Sequence, residues 1–163
     1  KVMRVLVLLM SLLLAGCGFH LRGQAGMPFA TMYIDAAAPN TQLITELRRG
    51  LEFNNVKLVH TAEQADLVLN IVSEIPERQI LSLAGSGRVN EYQLRYRVSL
   101  RAYDKQRQDW IPAEEMVQRR DYSYSDTAIL AKEAEETLLY KSMRDDMVQQ
   151  ILRRLSRAKP QPQ

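Results

Sequence analysis

The longest regular pattern in the chain is an alternation of apolar and polar residues over positions 91–102. Side chains that alternate along a strand point to opposite faces of a sheet. The pattern therefore predicts a long strand of an antiparallel sheet, with one buried face and one face in water. The buried set comprises Tyr92, Leu94, Tyr96, Val98, Leu100 and Ala102, and the wet set comprises Glu91, Gln93, Arg95, Arg97, Ser99 and Arg101.

Further strands are predicted on both sides of this one. Leu67, Leu69, Ile71 and Ile75 alternate with more polar neighbours, and Pro76 then suits a sheet edge or a bulge. The sequence Gly85-Ser86-Gly87 predicts a turn, and residues 115–124 alternate weakly and predict a third strand. A short strand is predicted at residues 31–34, ahead of this three-strand meander.

Helical spacing of apolar residues occurs twice. A first helix is predicted after a cap at Asn40 or Thr41, with Asn54-Asn55 as its stop. A second helix of about thirty residues is predicted after a cap at Ser125 or Asp126. The predicted fold class is α+β, with two helices packed on one face of a roughly four-stranded mixed or antiparallel sheet, a two-layer sandwich. The helical stripes are Leu43, Ile44, Leu47 and Leu51, then Leu139, Met143, Met147, Ile151 and Leu155.

The first residues have the composition of a bacterial lipoprotein signal. Lys1 and Arg4 precede an apolar stretch at residues 5–14, which is shorter than the ~20 residues of a spanning helix. The stretch ends Leu14-Ala15-Gly16-Cys17, which matches a lipobox cut before the cysteine. We expect Cys17 to carry a thioether-linked diacylglycerol and an N-acyl chain. The alternative is a buried free cysteine behind an ordinary signal peptide.

This signal sets the predicted organisation and location. We expect a removed signal peptide at 1–16, a lipidated tether at 17–30, a single α+β domain at 31–158 and a tail at 159–163. Several acyl chains on one residue anchor a protein firmly to a bilayer. The residue after the cysteine is Gly18 and not aspartate. By resemblance to enterobacterial lipoproteins, this indicates sorting to the outer membrane rather than retention at the inner membrane. The predicted location is the periplasmic side of the outer membrane.

Charge and composition exclude several classes of function. The formal net charge is +3, but without Lys1 and Arg4 the chain has 22 − 2 = 20 basic residues against 19 acidic ones. A balance near +1 gives no reason to expect a nucleic-acid partner. The single cysteine excludes an internal disulfide, and two histidines leave little for a transition-metal site.

Motifs for catalysis are absent from the sequence. The glycine that a dinucleotide loop would need after Gly85-Ser86-Gly87 is Asn90, and the outer glycines of a nucleophile elbow are missing. Glutamates on the second helix are typical of a solvated face. We therefore expect no enzyme, no catalytic residue, no metal and no cofactor apart from the covalent lipid on Cys17.

Arginines follow the long strand and its neighbour. Guanidinium groups suit phosphate recognition because their donors form a fixed fork. A soluble sheet face with interspersed acids such as Glu91 explains the same pattern. The residues are Arg95, Arg97 and Arg101 on one face, Arg88 at the hairpin end, and Arg119 and Arg120 on the next strand.

Three segments together carry a family resemblance: Cys17-Gly18-Phe19-His20-Leu21-Arg22, Glu91-Tyr92-Gln93-Leu94, and Ala128-Ile129-Leu130-Ala131-Lys132. With these segments the chain resembles the lipopolysaccharide-assembly lipoproteins, the E component of the outer-membrane lipopolysaccharide transport machinery (the LptE family). The resemblance implies a lipoprotein that forms a heterodimer with a large outer-membrane β-barrel, the D component. Such a protein plugs the barrel, assists its folding and helps deliver lipopolysaccharide to the cell surface.

The resemblance also implies two basic residues that bind lipopolysaccharide. Lys132 matches the lysine early in the last helix, whereas the hairpin position falls on Gly85 and the nearest basic residue is Arg88. We expect Arg88 and Lys132 to approach one end of the domain.

Two other functions remain compatible with the sequence. The chain could be a pilot lipoprotein for another channel, such as a secretin, or a free-standing lipid-binding carrier. A carrier needs an apolar cavity, whereas the regular alternation of the long strand predicts a filled core.

Overall fold

The domain is built on one mixed sheet of five strands, in a computed structural model that describes residues 26–162. The predicted signal peptide and Cys17 lie outside the described residues. The strands run in the order β2-β1-β3-β4-β5, and β1 is parallel to both of its neighbours, while β3, β4 and β5 form an antiparallel meander. In chain order the elements are β1 Thr31–Ala36, α1 Gln42–Phe53, β2 Lys57–Leu58, β3 Leu67–Leu83, β4 Val89–Asp104, β5 Asp109–Ser123 and α2 Ile129–Ser156.

The predicted α+β class is confirmed, with one strand more than the four expected. The added strand is β2, whose two residues pair with the start of β1. Both helices cover one face of the sheet and form the second layer. The buried core runs from Phe29 to Leu155 and takes its apolar side chains from both layers.

The sheet has two distinct ends, which we call basal and distal. At the basal end, Thr31 pairs with Lys57 on β2. The start of β3 and the end of β4 also meet there. At the distal end, Leu83 pairs with Val89 across the β3–β4 turn, and α2 begins. Both helices run towards the basal end.

The two helices approach each other closely near the basal end. Arg144 of α2 donates a 3.2 Å hydrogen bond to Glu46 of α1. Four residues further along α1 and eight residues further along α2, a Cβ atom placed on Gly50 would lie 2.6 Å from Cδ1 of Leu152. The helices pack tightly here because position 50 has no side chain.

β4 has the most regular alternation in the sequence, and its structure agrees best with the prediction. Alternate residues of β4 are buried against the helices, while the intervening residues lie on the opposite face and stay partly exposed. The predicted faces of this strand are confirmed. The buried residues are Leu94, Tyr96, Val98, Leu100 and Ala102, and Tyr92 at the distal end is half-buried.

The predicted strand is present as β3, but the face predicted for Ile75 is wrong, because a β-bulge changes the alternation after Ile71. Ile71 pairs with Leu100 and Ser73 pairs with Ser99, so Val72 has no partner on β4. An extra residue on one strand shifts every later side chain to the opposite face. Ile75 therefore leaves the buried stripe predicted for it and is 37% exposed.

The distal half of β3 is a free sheet edge. β1 pairs with β3 only from Leu67 to Ile71, so residues 72–83 have β4 as their neighbour on one side and no described strand on the other. Pro76 lies in this free half. Its missing N–H costs no hydrogen bond on the outer side, because no described strand pairs there. The predicted edge position of Pro76 is confirmed.

The starts of the two helices differ. Thr41 caps α1, as one of the two expected residues, and its hydroxyl accepts a 3.3 Å hydrogen bond from the N–H of Ile44. The cap predicted for α2 is wrong, because Asp126–Ala128 form a short 3₁₀ helix after Ser125 and the N-cap position of α2 is Ala128. Alanine has no side-chain acceptor, so the first N–H groups of α2 have no side-chain cap.

Candidate functional site

Arg88 and Lys132 both lie at the distal end of the domain, as the antiparallel order of the strands predicts. Arg88 belongs to the β3–β4 turn, and its guanidinium lies 4.0 Å from Asp126, just before α2. Lys132 lies on the first turn of α2 and donates a 3.3 Å hydrogen bond to Ser123 at the end of β5. The fold thus brings together two cations that are 44 positions apart in the chain (132 − 88).

The two cations differ in how free they are to bind an anion. The Arg88 side chain is 73% exposed, and its only ion pair among the described residues is the long one with Asp126. The Lys132 side chain is 19% exposed and its ammonium lies 2.7 Å from a carboxylate oxygen of Glu135. An anion would contact Arg88 directly, whereas Lys132 would first have to exchange Glu135 for the new partner.

Exposed apolar side chains lie at the same end of the domain as these cations. Leu81 and Leu83 project from the end of β3, and Ile129 and Leu130 project from the start of α2, with Leu130 81% exposed. Cations beside apolar surface suit a ligand that carries both phosphate groups and hydrocarbon chains. We call these four side chains the distal apolar patch.

Sequence reasoning did not find the distal apolar patch. The sequence assigns neither residues 79–83 nor the first turn of the last helix to a binding surface. The available signal was the adjacent pair Ile80-Leu81, which breaks the alternation of a strand with one buried face. In the structure both side chains are exposed, and a second irregularity of the β3–β4 pairing falls between Ile80 and Ser82.

Three tyrosines pack against one another next to the distal end. The rings of Tyr92 and Tyr122 stack at 5.9 Å, and the ring of Tyr124 meets Tyr92 edge-on at 5.1 Å. The guanidinium of Arg78 lies 4.6 Å from the centroid of the Tyr92 ring. These contacts replace an aliphatic core where α2 extends past α1.

Glu136 ties α2 to this cluster. Its carboxylate accepts hydrogen bonds from Arg78 at 2.9 Å and from the hydroxyl of Tyr122 at 2.6 Å. Burial and the bond to Glu136 raise the pKa of Tyr122 to about 12. The Tyr122 hydroxyl is therefore protonated and donating at physiological pH, so α2 is held by fixed hydrogen bonds close to Lys132.

The arginine-rich face of β4 is largely neutralised by acids. Arg97 lies 2.6 Å from Glu77 on β3 and 3.3 Å from Glu115 on β5, which places an ion-pair network across three strands. Arg101 forms a 2.5 Å ion pair with Asp109. These pairs favour the interpretation of a solvated, balanced sheet face over that of a phosphate site.

The remaining arginines of the expected set divide between the two faces. Arg120 points to the helix layer and forms a 2.5 Å ion pair with Asp146 of α2. Arg95 and Arg119 pair across β4 and β5 on the open face. Among the six arginines of the expected set, only Arg95 and Arg119 have no ion-pair partner within residues 26–162.

Within the described part of the chain, no group of three or more histidine, cysteine, aspartate or glutamate side chains is arranged to hold a metal ion. None of the described helices combines the length and the apolar character needed to cross a membrane.

Comparison with protein families places most of this domain in one group. Residues 29–155 match a family model described as LptE, lipopolysaccharide-assembly. The LPS-assembly lipoprotein LptE of Pectobacterium atrosepticum is 31% identical over 152 residues, covering 88% of this chain and 79% of the relative. The protein of the same name from Yersinia enterocolitica is 32% identical over 158 residues, covering 93% of this chain and 75% of the relative.

Solved structures of lipoproteins have the same fold. The solution structure of an uncharacterized lipoprotein B from Nitrosomonas europaea is 40% identical, covers 85% of this chain and 90% of its own, and superposes with a TM-score of 0.74. The crystal structure of the rare lipoprotein B from Shewanella oneidensis is 31% identical, covers 76% and 91% of the two chains, and gives a TM-score of 0.67.

Proposed function

The chain belongs to the LptE family of lipopolysaccharide-assembly proteins, and on this premise we propose that it is a non-enzymatic outer-membrane lipoprotein acting in lipopolysaccharide transport. The single observation that carries the proposal is the family match over residues 29–155. This range includes all five strands, α1, and α2 except its last residue. The exposed cations and apolar side chains at the distal end suit this ligand, because lipid A combines phosphates with acyl chains.

The proposal includes an anchor at Cys17. Its acyl chains hold the protein on the periplasmic side of the outer membrane. The lipobox Leu14-Ala15-Gly16-Cys17 and the Gly18 that follows support this location, and the relatives that match the chain carry the name lipoprotein.

We further propose that the domain plugs the lumen of a large β-barrel, the D component, as one half of a heterodimer, and assists the folding of that barrel. The open face of the sheet supports this arrangement. A barrel lumen is polar, and the open face presents paired charges such as Arg97 with Glu77 and Glu115. An ion-pair network of this kind tolerates a wet, polar surrounding better than an apolar sheet face would.

Co-purification in mild detergent tests the partner. We expect the affinity-tagged chain from outer membranes to bring down one large barrel protein in about equal molar amount. An unrelated outer-membrane lipoprotein with the same tag serves as the control. Recovery of a secretin would instead support the pilot function, and recovery of the chain without any channel would support the free-standing carrier.

The carrier alternative finds less support in the geometry. A carrier holds its lipid in an apolar cavity, whereas Leu94, Val98 and Leu100 are buried in a closely packed layer between sheet and helices. The groove of about 790 Å³ between the helices is open and is lined in part by charged residues such as Glu46 and Arg49.

We propose that Arg88 and Lys132 bind the phosphates of lipopolysaccharide, with the distal apolar patch against its acyl chains. The uncapped N–H groups of α2 add a favourable field for an anion at the same end. Replacing both residues with aspartate should weaken binding about tenfold or more at low salt, because a hydrogen bond to a charged group contributes about 1.5–3 kcal/mol. The loss should shrink at high salt, where exposed charges are screened.

Labelled lipopolysaccharide and purified protein provide this measurement at two ionic strengths. The matched control is Lys105→Asp with Lys141→Asp, which changes the net charge equally at residues away from the distal end. Thermal melts establish that both double variants are folded. Equal affinity of the Arg88→Asp, Lys132→Asp variant and the control would show that these residues do not bind lipopolysaccharide. The proposed assembly role would be unaffected by that result.

A further inference from the structure

Cations from three segments converge at the basal end, opposite the distal site. They are Arg49 of α1, Arg153 and Arg157 of α2, and Lys159 in the segment after α2. Arg153 and Arg157 line two adjoining grooves, of about 790 Å³ with Arg49 and about 500 Å³ with Lys159. We call these four residues the basal cation cluster.

The charge of the basal cation cluster is not neutralised within the described part of the chain. All four side chains are exposed, and none of them forms an ion pair with a described acid. Neighbouring arginines are paired: Arg144 lies 3.2 Å from Glu46, and Arg154 lies 3.0 Å from Glu114. The acids of both grooves are therefore engaged by other cations.

The field of the helix end does not by itself explain this cluster. Cations are favourable near a helix C-terminus within its last turn. Arg153 in the last turn of α2 and Arg157 at its C-cap meet that condition, but Arg49 lies before the last turn of α1, and Lys159 follows the end of α2. The convergence of three segments points to an external anionic partner.

The distance from the proposed lipid anchor indicates which anionic partner can reach the cluster. Met27 lines the same groove as Arg49, Arg153 and Arg157. Ten residue steps separate Cys17 from Met27, and a fully extended chain of that length spans at most about 35 Å. A lipid on Cys17 would therefore keep Met27, at the edge of the groove that contains Arg49, Arg153 and Arg157, within about that distance of the bilayer surface.

We propose that the basal cation cluster binds the phosphates of anionic phospholipids in the leaflet that carries the anchor. The inference rests on the proposed acylation of Cys17 for its geometry. Guanidinium forks match phosphate oxygens, and basic groups close to a lipid anchor strengthen attachment to an anionic surface. Contact at the basal end leaves the distal site directed away from that leaflet.

Trp110 provides an internal probe for this contact. It is the only tryptophan of the chain and lines the groove that contains Arg153 and Arg157. The acylated full-length mature chain is placed in phosphatidylcholine vesicles with or without phosphatidylglycerol, together with a dansyl-headgroup lipid. We expect energy transfer from Trp110 to dansyl to increase when phosphatidylglycerol is present. The increase should be lost in Arg153→Glu, Arg157→Glu and at high salt.

The matched control is Arg48→Glu with Arg119→Glu, which makes the same charge change at exposed residues that line neither groove, and it should keep the increase. If the double glutamate variant does not fold, Arg153→Gln with Arg157→Gln takes its place. Equal transfer with and without phosphatidylglycerol in the wild-type chain overturns the inference. An increase with lipopolysaccharide vesicles but not with phosphatidylglycerol overturns it as well.

Vesicle flotation separates this inference from the proposed anchor. Flotation with both kinds of vesicle supports acylation and leaves the transfer measurement to decide the cluster. Flotation only with phosphatidylglycerol vesicles contradicts the anchor and supports the cluster. Flotation with neither contradicts both.

Discussion

Replacing Cys17 with alanine should abolish acylation and leave an unprocessed or membrane-detached protein whose domain stays folded. In the proposed anchor the Cys17 thiol carries the diacylglycerol, and the sequence holds no other cysteine to replace it. The core of the described domain extends from Phe29 to Leu155, so its packing should survive the substitution. The effect on membrane attachment should be nearly complete, because the anchor depends on this one residue.

Mass spectrometry of the mature N-terminus and cell fractionation measure the effect of Cys17→Ala. Ser11→Ala, a change in the apolar stretch that leaves the lipobox intact, is the control and should be processed normally. Circular dichroism of the Cys17→Ala chain checks the fold. A wild-type N-terminus without acyl groups would refute the lipoprotein assignment.

Leu100→Ala should cost ~2–5 kcal/mol of unfolding free energy, as expected for a large-to-small change at a fully buried site. Leu100 is 1% exposed and lies in the middle of β4, opposite Ile71 of β3. Arg119→Ala is the control on the open face, where an exposed side chain without an ion pair among the described residues should change stability by less than ~0.5 kcal/mol. Arg97 would serve less well, because it bridges Glu77 and Glu115.

Urea denaturation measures both variants. A lower midpoint with an unchanged slope is expected for Leu100→Ala, since a smaller side chain leaves the area exposed on unfolding almost unchanged. Equal midpoints for the two variants would mean that the assignment of the β4 faces is wrong.

Elements with one buried face could be predicted from the sequence. β4 and the first helix each present an uninterrupted apolar stripe, and tertiary packing agrees with that stripe. The bulge at Val72 could not be predicted in this way. Valine fits either face of a strand, so the sequence around it remains consistent with an unbroken period of two. Ile75 was assigned to the wrong face for this reason.

The cap of α2 was missed for a different reason. Ser125 and Asp126 are both good cap residues, but the chain uses them at the start of a 3₁₀ turn and begins the α-helix at Ile129. Serine and aspartate favour turns as well as caps, so their presence does not settle the first helical residue.

The candidate surfaces depend on tertiary structure to different degrees. Arg88 and Lys132 could be assigned to one end because a meander followed by a returning helix fixes where turns and helix starts meet. The distal apolar patch was not predicted: the pair Ile80-Leu81 breaks the alternation of the strand, but the exposure of the patch follows only from the tertiary structure, in which the helices leave that end uncovered. The basal cation cluster combines Arg49 with Arg153, and residues so far apart in the chain give no local pattern.

The free edge of β3 has a consequence for the protein before it meets a partner. Residues 72–83 have no described strand on their outer side, although the carbonyl of Glu77 accepts a 2.7 Å hydrogen bond from the hydroxyl of Tyr140. With exposed Val72 and Ile80, this edge is a template on which strands of other molecules can add. Pro76 removes one donor from this template, and the bulge at Val72 bends it. Both features act against edge-to-edge aggregation, so the isolated domain should associate through this edge less readily than a domain with a flat, regular edge would.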